Sequence, residues 1–272
     1  MKIRSIRVFP IDITPHPVTR PRSEPLASGA FASPTWRYAE FRRGGRPAAH
    51  SVWQRLACLV TAEDGTWGLG LSIHSGPVQR IIEDSIAPAL LGMDCMAIER
   101  VWDAMNRMTA AYGTGGLASY AISAIDTALW DLKGRLLERP VYELLGGPQK
   151  DRIFCYGSNT ILSYGLEASL EWFLELGFRA VKIFMDAGPE DGLPGLNRTE
   201  ERVARAREIV GDDVELMLDC WMSLDVDYAA RLLERLEPYR LRWVEDLLLP
   251  EDQEGYVRLR QRNSTQSIAT GE

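Results

Sequence analysis

Apolar and charged residues alternate from Ile3 to Ile11, the period of a half-buried β-strand. Trp53–Thr61, followed by E-D-G-T and W-G-L-G-L, predicts a β-hairpin. Between these strands runs Thr14 to His50, rich in Pro, Gly, Ser and Arg, a length that connections seldom reach unless they serve as lids or stay disordered. Further on the period changes. Ile122, Ile125, Leu129, Leu132 and Leu136 recur at three- and four-residue spacing, one apolar stripe of a helix over Ala121 to Leu137. The run P-V-Y-E-L-L-G-G closes this region, its glycines suiting a helix C-terminus, and a domain boundary is expected near Gly147 to Asp151.

Beyond that boundary short apolar runs alternate with helical ones. Strands are expected at Ile153–Gly157, Ala180–Phe184, Val214–Asp219, Leu241–Asp246 and Ser267–Glu272, with helices such as Thr199–Val210 and Asp225–Leu236 between them. This rhythm belongs to α/β folds with parallel strands, either a βα barrel or a doubly wound sheet. No G-x-G-x-x-G follows the first strand, which disfavours the dinucleotide-binding version.

Charge narrows the classes of partner. The formal net charge of -7 argues against nucleic acid, and the one basic stretch, Arg37 to Arg46, is short enough to be a solvated loop or a contact for an anionic ligand. Cys58, Cys95, Cys155 and Cys220 lack metal or disulfide spacing. With no apolar run of membrane-spanning length and no signal-like N-terminus, a cytoplasmic protein is expected.

The chemistry gathers at strand ends. Asp219, Glu245 and Glu272 close three successive expected strands, 26 and 27 residues apart, one βα unit each. A lone acid there is ordinarily a helix cap. Three in step would point at one spot above the C-terminal rim, where their mutual repulsion calls for a cation, and oxygen ligands in that number suit Mg²⁺. Lys182, on the preceding strand, is one step round the same rim, placed to contact a substrate oxyanion or carboxylate.

At these residues the chain resembles the enolase superfamily, in its mandelate racemase and muconate lactonizing branch. Asp219, Glu245 and Glu272 match that branch's Mg²⁺ ligands in type, order and spacing, and the helix I-S-A-I-D-T-A-L-W-D-L-K-G and P-V-Y-E-L-L-G-G match its first domain. The resemblance implies an α+β capping domain over 1–148 and the first part of a modified TIM barrel over 149–272, strands one to five of eight. L-M-L-D-C-W-M-S-L-D-V and W-V-E-D-L-L-L-P-E-D most resemble the L-rhamnonate dehydratase group. That group removes the proton α to a sugar-acid carboxylate and eliminates the 3-hydroxyl, giving a 2-keto-3-deoxy acid. The implied partners are a small sugar acid and further copies of the chain in a homo-oligomer.

The sequence also departs from the branch. In the resembled dehydratase group the base is a histidine on the seventh barrel strand assisted by an aspartate on the sixth, and the three histidines here are His16, His50 and His74, all in the first half. The lysine-base variant needs K-x-K on the second strand, where Lys182 is followed two residues on by Phe184. The expectation is an N-terminal portion of a longer dehydratase that stops before its base. A racemase, epimerase or cycloisomerase of the same branch is one alternative, and an inactive fragment serving assembly is another. Arg46 and Arg43 fall where the group places an arginine on the substrate carboxylate, while the group's loop histidine has no clear counterpart, with His16 nearby as a candidate for substrate binding. Trp36 and Tyr38 are candidates to cover substrate or to anchor the loop. His74 is expected to be a turn residue.

Overall fold

The computed structural model describes residues 1–12, 32–42, 54–113, 115–158, 165–262 and 265–272. Among these, 1–12 with 54–152 form one compact unit and 32–42 with 153–272 form another.

The first unit is built on an antiparallel sheet of β1 (Ile3–Ile11), β2 (Arg55–Ala62) and β3 (Trp67–Ser72), in that order. β1 buries Ile3 and Val8, but its alternation is broken by a register shift between Ile3 and Ser5 and by the consecutive exposed residues Phe9 and Pro10. In the hairpin turn, Asp64 accepts hydrogen bonds from the Thr66 amide at 2.9 Å and hydroxyl at 3.1 Å, and Gly65 supplies the left-handed backbone with φ 93°. The central strand β2 buries Leu56, Cys58 and Val60, which face Ser72, Gly70 and Gly68 across the ladder. On that face lies the helix Leu117–Leu137, which buries Ala121, Ala124, Ile125, Ala128, Leu129 and Leu132.

The two β3 glycines explain how closely helix and sheet approach. A Cβ at Gly70 would fall 1.9 Å from the Ala124 carbonyl oxygen, and one at Gly68 2.1 Å from that of Ala128. Gly70→Ala should therefore push the helix off the sheet and cost about 3 kcal/mol, the upper part of the usual overpacking range. Gly76→Ala, where nothing lies within 4 Å of the added atom, should change little. Chemical denaturation of the two variants checks this, and equal midpoints would refute the close-packing account.

The second unit carries a parallel sheet of β4 (Gly157–Ser158), β5 (Ala180–Phe184), β6 (Glu215–Asp219), β7 (Val244–Glu245) and β8 (Ile268–Ala269), hydrogen-bonded in sequence order. Helices Leu166–Glu175, Gly192–Val210, Val226–Leu236 and Gln253–Arg262 lie between consecutive strands. The helix at Val226 starts where the Asp225 carboxylate accepts the Tyr228 amide at 2.8 Å, an N-cap. Three strands are shorter than their apolar runs suggest: Ile153–Gly157 pairs only at Gly157, with Ser158 beyond it, and Leu241–Asp246 and Ser267–Glu272 pair over two residues each. In the first, Ile153 and Phe154 are exposed and only Gly157 and Ser158 meet partners on β5. Apolar character alone does not make a strand without a neighbouring ladder.

Residues 32–42 belong to this second unit. The Ala32 amide donates to the Met185 carbonyl at 2.8 Å, and Arg42 Nε to the Trp36 carbonyl at 2.7 Å. Trp36 is buried in the unit's core, with its ring against Gly188 and its indole donating to Asp191 Oδ2 at 2.6 Å. It is thus a loop anchor, while Tyr38 is exposed. Asp191 also accepts the Gly188 amide at 2.9 Å and pairs with Arg198 at 3.5 Å. Burial alone would raise its pKa, and the Trp36 indole, the Gly188 amide and Arg198 outweigh that, holding it below the ordinary carboxylate value. A depressed acid stabilises the fold above its unfolded pKa and loses that contribution as pH falls through the folded value. Asp191→Asn should then cost about 1.5 kcal/mol at pH 7, a gap that closes in acid. Unfolding curves across pH 3 to 7 read this directly, and a gap independent of pH would sink it.

Candidate active site

Strand register brings the acidic residues together. Phe184 pairs with Asp219 across β5 and β6, and Asp219 with Glu245 across β6 and β7. Lys182 lies two residues before Phe184, so Lys182, Asp219 and Glu245 share one face of the sheet. The other face of β5 and β6, with Val181, Ile183, Leu216 and Leu218, is buried in the apolar core.

Lys182 Nζ sits 2.9 Å from Asp219 Oδ2 and 2.5 Å from Glu245 Oε1. The remaining carboxylate oxygens are also held. Asp219 Oδ1 accepts the Trp221 amide at 2.9 Å, and Glu245 Oε2 accepts the Trp243 indole at 2.7 Å. Tyr156 and Phe184 flank the ammonium, their ring centroids 5.7 and 5.8 Å away. Burial pushes the Asp219 carboxyl up to about 6 against the opposing pull of Lys182. Burial acts downward on Lys182, but its bonds to Glu245 and Asp219 more than reverse this and raise its pKa, so it stays an ammonium.

Asp246 completes the cluster, and it was not among the sequence candidates. One carboxylate oxygen from each of Asp219, Glu245 and Asp246 lies within 4.8 Å of the others. Strict alternation along β7 would turn Asp246 away from Glu245, but its left-handed backbone, φ 46°, departs from the strand. Buried and raised in pKa chiefly by that burial, it accepts the Gly271 amide at 3.1 Å and further hydrogen bonds from the Thr270 hydroxyl and the Glu272 amide. Glu272 lies beyond the last paired residue of β8, is exposed, and its carboxylate does not join the cluster. Trp221 and Met222 also take positive φ, 40° and 59°. Such conformations cost energy and tend to collect at functional sites.

Carboxylate oxygens converging in this way are the donor set of a hard divalent cation, and Lys182 Nζ marks where positive charge is favoured, so the residues fit Mg²⁺. A cavity of about 500 Å³ lined by Phe178, Arg179, Asp212, Asp213 and Val214 lies before β5 and β6 begin, at the opposite strand ends from the acids. His74 takes a left-handed turn conformation with its ring 4.8 Å from that of Tyr120. Arg43, Arg46, His16 and His50 lie outside the described residues.

Residues 45–146 match the mandelate racemase / muconate lactonizing enzyme N-terminal domain, and 166–272 match the enolase C-terminal domain-like family. An L-rhamnonate dehydratase from Saccharopolyspora erythraea is 37% identical over 273 residues, an alignment covering 100% of this chain and 68% of that protein. The chain belongs to the mandelate racemase / muconate lactonizing enzyme family.

Solved members of the superfamily agree. Two structures of L-rhamnonate dehydratase from Gibberella zeae superpose with TM-scores of 0.87 and 0.86 at 29% and 28% identity, the second complexed with Mg. They match all of this chain and 64% and 66% of their own. A racemase from Streptomyces coelicolor with bound magnesium gives a TM-score of 0.78 at 28% identity, over 99% of this chain and 69% of that one. The chain thus spans about two-thirds of the length of these family relatives. No helix among the described residues is long and apolar enough to cross a membrane.

Proposed function

We propose that this chain forms the metal-binding part of a Mg²⁺-dependent acid-sugar dehydratase, with its first unit as capping domain and its five parallel strands as the first five of a barrel. The observation that carries the proposal is the convergence of the Asp219 and Glu245 carboxylates, on adjacent strands in direct register, on one point beside Lys182. The 37% identity to an L-rhamnonate dehydratase supports the substrate class.

Asp219 and Glu245 would be two protein ligands and Glu272 the third, its backbone fixed by Asp246. The cluster geometry favours a second assignment of the third ligand, Asp246 itself. Magnesium affinities of Glu272→Gln and Asp246→Asn decide between them, since the true ligand's variant loses more.

An α-proton of a carboxylate is weakly acidic, and a bound divalent cation lowers the cost of the negative charge left when it departs. The chain's own residues set the surroundings. Trp221 and Trp243 orient the two carboxylates, and the buried Lys182 adds positive charge to the site. A general base is also required, and the resemblance puts it on later barrel strands. The test is an acid-sugar library offered to the natural gene product with Mg²⁺. Formation of a 2-keto acid supports dehydration, α-deuterium exchange without that product indicates a racemase, and neither outcome with any acid sugar overturns the proposal.

A further inference from the structure

We propose that Lys182 is a built-in counter-ion which a divalent cation displaces, so that metal entry releases its ammonium to face the substrate. This rests on the metal reading given above.

The argument is a count of oxygen atoms. Asp219 and Glu245 offer four, and two are already taken by donors that cannot easily leave, the Trp221 amide and the Trp243 indole. The two that remain, Asp219 Oδ2 and Glu245 Oε1, are the ones Lys182 holds at 2.9 and 2.5 Å. A magnesium ion needs such oxygens at about 2.0–2.1 Å. It would share them with an ammonium only by placing two positive centres within about 4 Å of each other, in a site too buried for water to screen them well. Lys182 is the mobile member, because a lysine has a flexible four-carbon stem with rotatable donors, whereas the carboxylates are pinned from behind.

The ammonium also has a place to go. The Tyr156 and Phe184 rings lie 5.7 and 5.8 Å from Nζ, already near the outer range of a cation–π contact, so a shift toward them exchanges carboxylate for ring faces. Residue 182 then has two duties in sequence. Without metal it neutralises paired carboxylates that would otherwise repel, and with metal it becomes a free positive charge beside the cation. It is a positioning residue for metal occupancy.

Two measurements on the full chain test this. In the first, isothermal titration of Mg²⁺ into Lys182→Met should give binding about tenfold tighter than wild type, the least that removing a unit charge at such range in a partly buried site should yield. In the second, which uses wild type and so does not depend on the variant folding, acylation of lysines followed by peptide mass analysis should show Lys182 reacting several-fold faster once Mg²⁺ is added. The exposed Lys2 and Lys150 serve as internal references. Magnesium binding by wild type with no gain in Lys182→Met, or with Lys182 acylation unchanged, overturns the displacement and leaves the metal site standing. Absence of binding in both proteins overturns the metal site and the displacement together.

Discussion

Magnesium at saturating concentration should raise the thermal unfolding midpoint of this chain by roughly 5–10 °C, and Asp219→Asn should remove the rise. At a free concentration about 100 times the dissociation constant, a ligand that binds only the folded state stabilises it by about 2.7 kcal/mol, which for a chain of this size corresponds to a shift of that order. Asp219 is central to the effect because it lies in register with Glu245 on one side and Phe184 on the other. Its conversion to an amide removes a charge and leaves the shape intact. Scanning fluorimetry with and without Mg²⁺ gives the answer, with calcium and sodium chloride separating specific binding from salt effects. A rise that survives in Asp219→Asn would place the ion elsewhere.

Lys182→Met should destabilise the metal-free chain by about 3–5 kcal/mol, the usual result of removing one partner from a buried ion pair. Asp219 and Glu245 would then face each other with no cation between them, and the pH dependence follows. In wild type the Asp219 carboxyl is already raised to about 6, chiefly by burial. A raised acid contributes fully below its unfolded value, and the contribution is lost as pH rises through the folded one. In the metal-free wild type this loss falls between about pH 4 and pH 6. Removing Lys182 takes away the ammonium that holds the value down, so the loss should extend to higher pH and the variant should recover most of its stability in mild acid. Denaturation midpoints from pH 4 to 8 in chelator test this. A deficit that does not change with pH would mean that Lys182 matters for packing and not for charge.

Much of the site was legible because strand-end positions carry a strong signal. Lys182, Asp219 and Glu245 each interrupt an apolar run at a point where a buried charge needs a reason, and the structure brings all three to one face. Asp246 escaped for a physical cause. Next to Glu245 in a period-two pattern it belongs on the opposite side, and nothing in a non-glycine residue advertises the left-handed backbone that turns it. Glu272 shows the reverse limit: spacing predicts a strand end, but pairing stops at Ala269 and the chain turns at Gly271, φ 129°. The role of Trp36 depends on Asp191, 155 residues away, a contact that no local pattern reports. The run from Ile153 has strand-like side chains, but Ile153 and Phe154 are exposed and have no ladder to join.

The close seating of helix Leu117–Leu137 on Gly68 and Gly70 limits which substitutions this part of the fold tolerates. Neither glycine can acquire a side chain while the Ala124 and Ala128 backbone stays where it is, and any substitution that lifts the helix opens the core beneath Leu56, Cys58 and Val60. A side chain at either glycine would be tolerated only with matching changes in the helix and in the strand beneath it, so these positions act as one packing unit. The strand ends bearing Asp219 and Glu245 are constrained differently, by the charges and hydrogen bonds that hold their carboxylates and not by backbone contact.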